Sequence, residues 1–146
     1  MKRVVITINR QYGSGGKTIG YMLAEKLGIP CYSREILQRA SEESGINESM
    51  FNARDERLKR LPKFLLSTNV YSGELLPPES KEFTSDQNLF NYEAEVIKKY
   101  AAEGSCVLIG RCADFVLKDD PDMISVYVHA DHDFQMKSAL ERVSMS

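Results

Sequence analysis

A chain of 146 residues, 42% hydrophobic and 27% charged, has the size and composition of one globular domain with a buried core. Its net charge of -2 excludes the basic footprint of a nucleic-acid binder, and no apolar run approaches the ~20 residues of a membrane span. The start MKRVVITINR enters a strand without a signal-peptide core, and Cys31, Cys106 and Cys112 form an odd set without paired spacing, so a cytoplasmic chain with reduced thiols in its core is expected.

Val4 to Ile8 is apolar on both faces apart from Thr7, as a central parallel strand covered on each side should be. A glycine-rich turn follows, and then Ile19, Met22, Leu23 and Leu27 recur at i, i+3, i+4 and i+8, a helical period stopped by Gly28 and Pro30. Cys31 and Tyr32 make a short strand, after which Ser33 caps a helix running through Arg39 and Ala40 toward Gly45. Asn47 caps another helix, in which Asp55 with Lys59 and Glu56 with Arg60 read as a solvated face; it should end before Pro62. From Leu61 to Ser85 the pattern weakens, with Gly73, Pro77 and Pro78 breaking any period, and a long excursion is expected.

Asp86 opens an amphipathic helix with Phe90, Ala94, Ile97 and Ala101 on one face, closed by Gly104. Cys106 to Ile109 and, past Pro121, Ile124 to Val128 are continuous apolar runs that predict strands. Asp131 then caps a last helix with Met136, Ala139, Leu140 and Val143 inward, and the ending ERVSMS carries no stop signal. His129 and His132 form an H-x-x-H without the other ligands of a metal site. Strands alternating with helices imply a parallel sheet with right-handed crossovers, whose ligand lies at the carboxyl ends of the strands. The glycine turn and Gly110-Arg111 both fall at such ends.

The turn carries the chemistry. Gly13, Gly15 and Gly16 let main-chain N–H groups wrap an anion, and the helix beyond presents unpaired amides and the positive end of its dipole. Two registers on the phosphate-loop pattern G-x-x-x-x-G-K-[ST] are open. One keeps Gly16, Lys17 and Thr18 as its last three positions, with Gln11 in place of the first glycine; it retains both a cation and a magnesium ligand and is preferred. The other sets Gly13, Ser14 and Gly15 on a G-x-G core, which puts Gly16 at the lysine position and Lys17 at the hydroxyl position. A plain strand-to-helix turn is the competing structural reading. A dinucleotide fingerprint fails, because its third glycine falls on Thr18.

Three blocks, ITINRQYGSGGKTIG, LGIPCYSREILQRA and VLIGRCADFVLKDDPDMISVYVHA, resemble the cytidylate kinase-like group of nucleoside monophosphate kinases over nearly the whole chain. The resemblance implies an α/β, three-layer P-loop NTPase fold with a central parallel sheet flanked by helices, cut before the lid and last strand. It implies a single domain over 1–146, with a monophosphate-binding helical excursion at about 33–103.

It further implies phosphoryl transfer from ATP with Mg2+ to a nucleoside monophosphate. Gly13, Ser14, Gly15, Gly16, Lys17 and Thr18 would hold ATP, with Thr18 as the magnesium ligand and Lys17 and Arg111 as the catalytic cations. Arg39, Arg111, Ser33 and Asp114 would bind the acceptor; Arg10 and Arg34 lie near the same mouth with a weaker claim. The pattern departs from the family at Ser33 and Cys112, where aspartates that read the nucleotide are expected. A nucleotide-binding module without turnover and a kinase of a non-nucleotide metabolite are the competing functions. The partners expected are small-molecule nucleotides, with no nucleic acid and no membrane.

Overall fold

The structure is a computed structural model and describes residues 2–60 and 74–145. The chain divides into two compact units, Met1–Ser33 with Tyr100–Ser146, and Arg34–Lys99.

The first unit holds a four-stranded, all-parallel sheet of β1 (Val5–Arg10), β2 (Cys31–Tyr32), β3 (Cys106–Ile109) and β4 (Met123–Val128) in the order β2-β3-β1-β4. Pairing of Val5 with Cys106 and Ile8 with Ile109 puts the carboxyl ends of β1 and β3 side by side. β1 is the central strand that its sequence predicts, though it continues through Asn9 and Arg10, two residues past the apolar run. Ile6, Ile8, Val107 and Ile109 form one core face with Ala24 of helix α1 (Gly16–Leu27). α1 is the helix expected, but of its apolar stripe only Leu23 packs against the core: Ile19, Met22 and Leu27 are exposed, and the buried residues are Gly16, Gly20 and Ala24. The reason is closeness. A Cβ on Gly20 would stand 2.9 Å from Ile109 Cδ1 and 3.1 Å from Ile8 Cδ1, so at this point of the helix a small residue fits best against the sheet.

β4 is the last strand of the sheet among the described residues, and its apolar run is half solvated, with Ile124 and Tyr127 exposed. The last helix runs His132–Met145, capped as expected by Asp131, whose Oδ1 accepts the Phe134 N–H at 2.9 Å. Its stripe does not face inward: Met136, Leu140 and Val143 are 49%, 63% and 68% exposed. The period of that stripe is helical, but period alone does not say which side meets a neighbour. Among the cysteines only Cys106 is a buried core residue, its thiol pushed up to about 11 by burial; Cys112 is exposed. Arg3 clamps the entry to β1, donating to Asp120, Asp122 and, at 2.9 Å, to the Ala101 carbonyl.

The second unit contains α2 (Arg34–Ser44), α3 (Glu48–Arg60) and most of α4 (Asp86–Glu103). Asn47 caps α3, its Oδ1 accepting the Ser49 N–H at 2.8 Å. Among the described residues Ile36, Leu37, Ala40, Ile46, Phe51, Leu89, Ala94, Val96 and Ile97 are its buried apolar residues, and Glu93 and Arg54 are buried with them, Arg54 Nη1 lying 3.6 Å from Glu93 Oε2. The solvated reading of α3 therefore misses an internal charge. Residues 74–85 form turns without helix or strand, held on α4 by Asn88, which accepts from Leu76 N–H and donates to the Phe83 carbonyl, and by Asn91, which donates to the Glu74 carbonyl. Segment 61–73 of the expected excursion, and the Lys59 and Arg60 side chains of the expected ion pairs, lie outside the described residues. Of the described helices in the first unit, the short Ala113–Val116 after β3, α5, has too few residues to show a period; His132–Met145 is α6.

Candidate functional site

The turn between β1 and α1 is shaped by two left-handed glycines with different neighbours. At Gly13, φ is 77° and a Cβ would stand 2.5 Å from the Gln135 carbonyl oxygen of α6, so this residue lets the turn lie against that helix. At Gly15, φ is 83° and no atom lies within 4 Å of the Cβ position, so the turn opens to solvent there. Gly15 is the N-cap of α1 and offers no side-chain cap; Ile19 N–H bonds back to its carbonyl at 3.0 Å. The amides of Gly16, Lys17 and Thr18 accordingly have no helical carbonyl to reach.

Ser14 sits between these glycines, 5% exposed, and its Oγ has no hydrogen-bond partner among the described residues. Buried hydroxyls are nearly always satisfied, so an orphan in a ring of free amides marks a place for an acceptor supplied from outside. Ser14, Gly15, Thr18 and Ile19 line one side of a cleft of about 400 Å³, and Phe134, Ser138, Glu141 and Arg142 of α6 line the other. The orphaned Ser14 hydroxyl, the open side of Gly15 and the Thr18 hydroxyl on the cleft wall fit a phosphate chain and its magnesium ion. The α6 residues carried no sequence signal, because only the fold brings that helix to the turn.

At the end of β3, three successive residues are left-handed: Gly110 at φ 72°, Arg111 at 59° and Cys112 at 57°. Such conformations at non-glycine residues are costly and cluster at functional sites. Arg111 is half-buried there, and Asp114 stands in the first turn of α5. Arg10, at the end of β1, lies across this point; its Nη1 is 2.6 Å from where a Cβ on Gly110 would be. Burial, reinforced by the charges of Arg111 and Arg142, lowers Arg10 from the ordinary arginine value.

Lys17 is exposed, its ammonium 6.0 Å from the centroid of the Tyr21 ring one turn along α1. Ser33 immediately precedes α2 and closes the first stretch of the first unit, whereas Arg39 belongs to the second. Arg39 donates to Glu43 at 3.1 Å, and Glu43 also accepts from Lys99 at 2.8 Å. Burial pushes the Glu43 carboxyl up, but those two hydrogen bonds outweigh it and hold the group below its ordinary value. Arg34 is exposed, 3.9 Å from Glu48. Among the described residues no group of three or more His, Cys, Asp or Glu is arranged to hold a metal.

A parallel α/β sheet with a glycine turn at the mouth of its first helix defines the class: an α/β protein whose glycine turn lies at the carboxyl edge of its sheet, where such folds commonly bind anions. The family model for the cytidylate kinase-like family matches residues 5–146, and the chain belongs to that family, a kinase-like group of nucleotide-binding proteins. It is also similar to the crystal structure of an uncharacterized protein from Eubacterium ventriosum ATCC 27560, at 26% identity and a TM-score of 0.62, over 99% of this chain and 64% of that one. The chain thus spans less than two thirds of that protein's length. No curated protein matches it. No described helix is long and apolar enough to cross a membrane.

Proposed function

We propose that this chain carries the phosphate-donor site of an ATP-dependent phosphotransferase whose acceptor is a nucleoside monophosphate, acting in the cytoplasm on small-molecule nucleotides. The observation that carries the reading is the buried, unpartnered Ser14 hydroxyl inside the Gly13–Thr18 turn. In this reading the Gly15, Gly16, Lys17 and Thr18 amides hold the phosphate chain, and Lys17 and Arg111 supply charge to the transferring group. Magnesium, held by Thr18 and the phosphates, would neutralise the charge that builds on the β- and γ-oxygens. Arg39, Arg111, Ser33 and Asp114 would orient the acceptor; the phosphate-gripping arginines are kept, while a hydroxyl and a thiol stand where base-reading acids are expected.

A nucleotide-binding module without turnover is the second reading, favoured by the engagement of Arg39 with Glu43. Titration calorimetry with ATP, paired with coupled detection of ADP release across a panel of nucleoside monophosphates and phosphorylatable metabolites, separates the two. Acceptor-dependent ADP release supports the kinase; ATP binding with no release under any acceptor supports the module. In the kinase, Arg111→Ala should raise the KM for acceptor more than that for ATP. Equal increases would remove its assigned role.

A further inference from the structure

We propose that Arg10 supplies the principal cation for the phosphate chain in the glycine turn, forming one anion subsite with Arg111 and Arg142. This rests on the donor-site reading above.

The first support is steric. A Cβ on Gly16 would lie 2.5 Å from Arg10 Cβ and 3.0 Å from its Cγ, so the aliphatic stem of Arg10 fills the space that a side chain at position 16 would need. The guanidinium then reaches the end of β3, where Nη1 stands 2.6 Å from the position a Gly110 Cβ would take. In the register with Gly13-Ser14-Gly15 as the G-x-G core, the pattern expects glycine at position 10 and lysine at position 16. This chain has the reverse, arginine at 10 and glycine at 16. The exchange is reciprocal and the contact explains it: one cation has room, and it enters from the strand instead of the helix.

The second support is electrostatic. No carboxylate among the described residues pairs with Arg10, and Arg111 and Arg142 both act on it as like charges. An anion beside Arg10 would offset the like charges that Arg111 and Arg142 place on it, and the planar fork of arginine suits phosphate oxygens. Arg142 also lines the cleft that contains the unpartnered Ser14, where Glu141 is the one carboxylate among the lining residues. Of the three arginines Arg142 alone lines that cleft; Arg10 and Arg111 stand beside it at the strand ends, and Lys17, also outside it, has its ammonium over Tyr21.

The test is titration calorimetry of the full chain with ATP and, separately, with inorganic tripolyphosphate. Arg10→Ala should weaken both by at least tenfold, Lys17→Ala by less, and the double variant Arg10→Gly with Gly16→Lys should regain part of the loss by restoring the common arrangement. Thermal unfolding of each variant without ligand checks the fold; were Arg10→Ala to unfold, Arg10→Lys, which keeps charge but loses the fork, should still weaken tripolyphosphate several-fold. Unchanged affinity in Arg10→Ala or Arg10→Lys, or a larger loss in Lys17→Ala, overturns the assignment while leaving the donor site standing. Tripolyphosphate binding that depends on Arg10 without any ATP turnover supports the subsite and removes the kinase. A wild-type chain that binds neither ligand removes both.

Discussion

Replacing Gly13 by alanine tests whether the turn is held by α6. Two costs apply: an L-residue in the left-handed region gives up about 1–2 kcal/mol, and a methyl group forced against packed backbone costs about 1–3 kcal/mol. The second cost follows from the structure, because the new Cβ would sit 2.5 Å from the Gln135 oxygen and 3.1 Å from its carbonyl carbon and Cα, none of which is a flexible side-chain end. Gly15→Ala is the matched control. It has the same hand of backbone, φ 83° against 77°, with nothing within 4 Å. Both variants lose the same unfolded-state freedom of glycine, so that contribution cancels in the comparison. Gly13→Ala should therefore be less stable than Gly15→Ala by about 1–3 kcal/mol, or roughly 2–12 °C in melting temperature for a domain of this size. Differential scanning calorimetry reads the difference directly. Equal melting temperatures would refute the close approach of α6 to the turn, and with it the cleft built from both.

Two further expectations concern the charges that hold each unit. In the second unit Glu93 is 1% exposed and faces Arg54, which keeps Asp55 at 3.8 Å when Glu93 is neutralised, so Glu93→Gln should destabilise the protein by about 1–3 kcal/mol; urea unfolding showing a loss below about 0.5 kcal/mol would place the pair in the class of weak surface bridges. In the first unit the Arg3 hydrogen bond holds the Asp120 carboxyl below its ordinary value. A depressed folded-state pKa gives stability that is complete above the unfolded carboxylate range, about pH 4, and is lost as pH falls through the folded value. The stability gap between wild type and Asp120→Asn, followed by unfolding from pH 6 down to about pH 2, should stay constant at first and then close; a gap that widens on acidification contradicts the clamp.

β1 and β3 were legible because they are buried on both faces and read as unbroken apolar runs. The helices were legible as helices but not always in their orientation. The residues of α1 buried at the sheet are Gly16, Gly20 and Ala24, which add almost nothing to a hydrophobic period, and of the visible stripe Leu23 reaches the core while Ile19, Met22 and Leu27 lie exposed. The same holds for Leu140 and Val143 on α6. The glycine turn showed in the sequence because its conformation demands a particular residue type. The convergence of Arg10, Arg111 and Arg142 did not, since it exists only once β1, β3 and α6 are side by side. Glu93 and Arg54 were hidden for a related reason: charged residues on amphipathic helices are ordinarily solvated, and only the contact between α3 and α4 shows otherwise.

The glycine face of α1 also bears on how the chain is made. Glycine within a helix costs about 1 kcal/mol relative to alanine, so this segment has little reason to be helical by itself as it leaves the ribosome. Its docking partners are Ile8, already synthesised, and Ile109, which emerges some ninety residues after Gly20. A nascent chain stalled before β3 would hold a glycine turn with no rigid helix behind it, and ATP added to such stalled complexes should leave protease cleavage at the turn unchanged until β3 has emerged.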